Sequence, residues 1–114
     1  MKDKFYIINL IKKLIQDFDK YLTNFPHKDI ELKKEIMNTS YEMLKITYEA
    51  NITYNKEKRS DIQDKIISNI KYLDFLINNC YDKKIINSKK YLRFGENLDY
   101  LLKYINGWRN SSRA

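Results

Sequence analysis

Only Pro26, Gly95 and Gly107 interrupt a chain of 114 residues. Proline lacks the amide donor that a helix interior needs, and glycine costs roughly 1 kcal/mol there relative to alanine. A chain this poor in breakers, and rich in Lys, Leu, Ile and Glu, has few places to turn. Its fold must be built from long helices.

Apolar spacing divides the chain into four of them. Ile7, Ile8, Leu10, Ile11, Leu14, Ile15, Phe18, Tyr21 and Leu22 recur at three- and four-residue steps, with Lys12, Lys13, Asp17 and Asp19 off the stripe. This predicts a first helix over about 3–22, ended by Thr23-Asn24-Phe25-Pro26 because the residue before proline is pushed out of the α region. A second helix is predicted over 28–51, with Asp29 capping it or complementing its dipole and Ile30, Ile36, Met37, Met43, Leu44 and Thr47 inward. The third, over 56–82, takes Ser60 as a possible cap and turns Ile62, Ile66, Ile70, Leu73, Phe75, Ile77 and Cys80 inward. After a short Lys83–Asn87 connection, Ser88 is predicted to cap a fourth helix over 88–109. Its stripe is Tyr91, Leu92, Leu98, Leu101, Leu102, Ile105 and Trp108, and Gly95 within it predicts a close approach of helices. Residues 110–114 are predicted to fray. Short connections make consecutive helices antiparallel, so the expectation is one all-α domain over 1–114, an up-down-up-down antiparallel four-helix bundle.

Charge is distributed unevenly. Residues 1–82 hold 14 Lys or Arg against 13 Asp or Glu. Residues 83–114 hold Lys83, Lys84, Lys89, Lys90, Arg93, Lys103, Arg109 and Arg113 against Glu96 and Asp99 alone, which accounts for most of the net +7. Lys89 and Arg93 lie four apart on one helix, just after the Lys83-Lys84 loop. Such a surface suits phosphates, through contacts that give affinity and salt dependence without sequence specificity. A merely solvated face has the same composition, and both readings stand on charge alone.

The chemistry that other classes require is missing from the sequence. A single Cys80 excludes an intramolecular disulfide and reads as a packed thiol in a reducing compartment. The single His27 follows Pro26 at a helix start, where no carboxylate-rich spacing converges on it. No phosphate-loop, dinucleotide-binding or C-x-x-C pattern occurs, and Ser40 and Ser60 have no histidine near in sequence to serve as a base. No enzyme activity, metal or cofactor is expected. No window approaches the roughly 18 apolar residues of a membrane span, and the N-terminal residues carry an acid without a long apolar core. A cytoplasmic protein with no membrane partner is expected. Ten tyrosines fit boundary packing; Tyr91 and Tyr104, which share a helix with the basic cluster, are the better candidates for contact with a base or a protein.

Several segments together carry a resemblance. Phe25-Pro26-His27-Lys28 resembles a Phe-Pro-Lys opening of helix two, and Tyr48-Glu49-Ala50-Asn51 resembles its Ile-Glu-Ala-Asn end. Leu73-Asp74-Phe75-Leu76-Ile77 and Ile85-Ile86-Asn87-Ser88-Lys89-Lys90-Tyr91 resemble the end of helix three and a Leu-Ile-Ser-x-Lys-Gln-Tyr start of helix four. Leu102 to Trp108 resembles a Met-Leu-Gly-Gly-Trp close. In order and spacing, over about residues 20–110, these segments are similar to the accessory variability determinant proteins of diversity-generating retroelements. That family sits within a four-helix-bundle superfamily that includes proteins encoded in intervening sequences of bacterial ribosomal RNA. The chain departs from the pattern at Asn106-Gly107, where the family has two glycines. It departs again at Asp74 and Asn78-Asn79, where the family carries arginines.

The resemblance implies a basic homopentamer that binds RNA or DNA and a reverse transcriptase, supporting error-prone cDNA synthesis in mutagenic retrohoming. The expected nucleic-acid contacts are Lys83, Lys84, Lys89, Lys90, Arg93, Lys103, Arg109 and Arg113. Trp108, Tyr91, Tyr104 and Phe94 are expected at a packing or subunit interface. Ile8, Ile67, Phe75 and Leu76 are also apolar residues beyond one bundle core and hint at such an interface. The competing expectation is a protein-interaction scaffold of the intervening-sequence type, with no nucleic-acid role.

Overall fold

A computed structural model describes the backbone of residues 2–113 and the side chains of residues 5–111. Among the described residues it contains four α-helices and no strand: α1 Lys2–Tyr21, α2 Ile30–Ile52, α3 Lys56–Asp82 and α4 Ser88–Arg113, with a single 3-10 turn at His27–Asp29 before α2. They form a four-helix bundle in which α1 packs on α2 and α4, and α3 on the same two helices. The molecule measures 45 × 23 × 19 Å. Its long axis is set by helices such as α3, whose 27 residues span about 40 Å at the usual helical rise.

The α1 stripe buries Ile7, Ile11, Leu14, Phe18 and Leu22, while Lys12 and Lys13 stay in water. Phe18 meets Phe94 of α4 with ring centroids 5.1 Å apart. The buried face of α2 is less apolar, because Ser40 and Thr47 sit on it beside Ile36, Met43 and Ala50. Each hydroxyl donates to the carbonyl four residues back, Ile36 O and Met43 O, both at 2.7 Å, so neither is buried unsatisfied.

The helix ends depart from the sequence expectation in instructive ways. Asn55, not Ser60, caps α3, its Oδ1 accepting from Lys58 N at 2.9 Å. Asn87, not Ser88, caps α4, accepting from Lys90 N at 2.9 Å. Asp29 precedes α2 but makes no side-chain cap bond. The C-terminus of α3 closes with Ile85 N bonded to Cys80 O at 2.8 Å and Lys84 N to Tyr81 O at 2.9 Å. This pair is the Schellman arrangement, which needs a left-handed residue, usually glycine. Here that residue is Lys84, with φ 61. The last helix continues through Arg113, past the predicted end at residue 109.

Packing also redistributes the apolar residues. Leu92, predicted inward, is 61% exposed; Phe75, read both as inward and as left over beyond the core, is 56% exposed; and Ile30, predicted inward, is 37% exposed. Ile8, Leu76 and Phe94, which the sequence left over for a subunit interface, are buried within the chain, and Ile67 packs partly against the core. Gly95 marks no close helix approach, since a Cβ built there meets nothing within 4 Å.

Candidate nucleic-acid interface

The basic residues of the α3–α4 connection and the first turns of α4 come together with the C-terminus of α1. Lys90 Nζ donates to Tyr21 O at 3.3 Å, supplying a cation to one of the carbonyls that a helix end leaves without an intrahelical partner. Three residues on, the Arg93 guanidinium lies over the Tyr21 ring, 5.0 Å from its centroid, and Lys20 lies 5.2 Å from the same ring. Lys20 first, with Arg93 adding, lowers the Tyr21 hydroxyl below its ordinary pKa.

Between these elements lies an open cleft of about 730 Å³ lined by Asn24, Tyr81, Lys84, Asn87 and Lys90, with Asp82 on its wall. Lys84 is exposed and stands in the left-handed conformation described above. Lys89 and Arg93 border an adjoining apolar hollow of about 230 Å³ over Phe94. Lys83 points its charge elsewhere, to the Asp29 carboxylate at 3.1 Å.

The eight cations named from sequence therefore do not form one surface. Lys83, Lys84, Lys89, Lys90 and Arg93 belong to this end. Lys103 is ten residues further along α4, about 15 Å away by helical rise. Arg109 is paired with Asp64 of α3, and the Arg113 side chain lies outside the described residues. Lys20, Tyr21 and Asn24 were not anticipated as neighbours of this cluster. Lys90 and Tyr21 are 69 residues apart, and no local pattern connects them.

The residues expected at an interface separate too. Trp108 and Phe94 are 2% and 1% exposed within the chain's own core, so they offer no surface to another subunit. Tyr91 is half-buried, donating through its hydroxyl to Asn78 Oδ1 and stacking on Tyr81 with centroids 4.4 Å apart. Tyr104 packs edge-on against Tyr6 and Tyr100. The Tyr6 and Tyr100 hydroxyls bond at 3.0 Å. That bond, chiefly, pushes the Tyr6 pKa up to about 12.

His27 is exposed, and among the described residues no group of three or more His, Cys, Asp or Glu could hold a metal ion. Burial pushes the Cys80 thiol up to about 11, with the Asp29 charge adding, so it is a poor nucleophile. No described helix is long and apolar enough to cross a membrane. Compared with protein families, curated proteins and solved structures, the chain matches none of them.

Proposed function

We propose that the chain is a non-enzymatic accessory protein that binds nucleic acid through the basic end formed by Lys84, Lys89, Lys90 and Arg93. The carrying observation is the cleft itself, a concave opening with Lys84 and Lys90 on its walls and Lys89 and Arg93 beside it. Concentrated positive charge in a concavity focuses the field on a polyanion, and each phosphate contact releases condensed counterions. The cations of this arrangement favour phosphate contact, which gives affinity without sequence readout.

We further infer an up-down-up-down antiparallel topology. It is supported by Tyr6 meeting Tyr104 while Phe18 meets Phe94, and by Asp64 meeting Arg109 while Asn78 meets Tyr91. In this topology the two loop motifs that carry the resemblance, Phe25–Lys28 and Ile85–Tyr91, fall at the same end as the basic cleft. That coincidence supports the role the resemblance implies, an oligomeric partner of a retroelement reverse transcriptase acting on RNA or cDNA. The buried, weakly acidic thiol of Cys80 supports a cytoplasmic setting.

The second reading, a protein-interaction scaffold, draws support from a different feature. Tyr41, Tyr48 and Ile52 are exposed along α2 at seven- and four-residue steps, one face of the helix. Two measurements separate the readings. Replacing Lys89, Lys90 and Arg93 with Glu abolishes RNA binding with helicity unchanged if the basic end is the contact; retained binding removes it. Light scattering at low and high salt tests the oligomer, for which a pentamer of the 13.9 kDa chain gives about 70 kDa.

A further inference from the structure

We propose that the cleft beside Tyr81 receives a single-stranded segment of nucleic acid, one base stacking on the Tyr81 ring while Lys84 and Lys90 hold the flanking phosphates. This rests on the nucleic-acid reading above and narrows it to one strand class. Tyr81 closes the last turns of α3 and stacks nearly flat on Tyr91 of α4, with planes 13° apart. Tyr91 is fixed in its turn by the bond to Asn78. One face of Tyr81 is thus occupied, yet the residue is still 39% exposed and lines the cleft with both lysines.

A ring already held against a neighbour has little rotamer freedom left to lose when a base lands on it. The result is a preformed stacking platform beside cations, the combination by which proteins hold single strands without reading their sequence. A duplex keeps its base faces inside the stack and offers phosphates, sugars and groove edges instead, so it engages the lysines without stacking on the ring. The backbone at Lys84 adds to the case. The Schellman closure of α3 holds Lys84 in a left-handed position where glycine would be free of strain, which fixes the backbone from which its side chain leaves. Here it keeps an ammonium on the cleft wall.

The test is fluorescence anisotropy with a labelled oligouridine and with an RNA duplex carrying the same number of phosphates, on the intact chain. The wild type binds both, and Tyr81→Leu lowers the ratio of single-strand to duplex affinity about tenfold, the loss of one stacked base. Tyr81→Phe, which keeps the ring, recovers most of that ratio. A ratio unchanged in Tyr81→Leu, or unrecovered in Tyr81→Phe, overturns the stacking site while leaving the basic end as a phosphate surface. A wild type that binds neither probe overturns the nucleic-acid reading and the stacking site together.

Discussion

The Lys83 ammonium meets the Asp29 carboxylate at 3.1 Å, tying the start of α2 to the connection between α3 and α4. The carboxylate is almost enclosed, its side chain 9% exposed, whereas the lysine side chain is 49% exposed. Removing the lysine leaves a buried charge without its partner, which costs more than the pair contributes. Lys83→Met therefore destabilises by about 1–2 kcal/mol, read from the urea midpoint, given the exposure of one partner. The same pairing takes Lys83 out of phosphate contact, so its loss changes the salt dependence of RNA binding less than Lys84→Met does.

Lys84 predicts an opposition between stability and binding. At φ 61 a glycine relieves the strain that a Cβ imposes. Lys84→Gly is expected to stabilise by about 1 kcal/mol in urea unfolding, and to weaken binding to RNA by the loss of one cation.

The Cys80 thiol titrates at about 11 in the fold against 9.0 when free of it. The folded state holds its proton longer, so the associated stability is complete below pH 9.0 and is lost as pH rises towards 11. Iodoacetamide should label the native chain far more slowly than the urea-unfolded chain at pH 9.0, because the native thiol is both enclosed and protonated. Equal rates at that pH contradict the burial of this thiol.

Backbone substitutions test the α4 assignment. With nothing within 4 Å of a Cβ at Gly95, Gly95→Ala gains helix propensity at no steric cost. It should stabilise by about 0.5–1 kcal/mol. Asn87→Ala should cost about 1 kcal/mol through loss of the cap, while Ser88→Ala, one residue on, has little effect.

Legibility in the sequence followed the range of the interactions. The α1 stripe was readable because Ile7, Ile11, Leu14 and Phe18 repeat with the helical period, and the adjacent Ile8, Leu10 and Ile15 widen the same face and pack on the core as well. The start of α4 was ambiguous because Tyr91 and Leu92 are both apolar and adjacent, about 100° apart around the helix, and one core cannot take both. Packing chose Tyr91, which Asn78 and Tyr81 hold, and left Leu92 in water. Thr47 was legible as part of the α2 stripe, whereas Ser40 gave no sign of burial; each hydroxyl is satisfied by its own helix and needs no distant partner. The basic cluster was visible as composition, but its division was not. Whether a cation faces the cleft or an internal carboxylate depends on Asp29 and Asp64, which lie 54 residues before Lys83 and 45 before Arg109.

In the proposed function Lys84, Lys89, Lys90 and Arg93 contact phosphates together. The most direct measurement is the affinity for a labelled single-stranded RNA across a salt series. Four contacts on a single strand predict a log–log slope near −3, at about −0.7 per phosphate, with binding lost across the series when Lys89, Lys90 and Arg93 are replaced by Glu. An affinity insensitive to salt, or a slope that survives those replacements, contradicts the account.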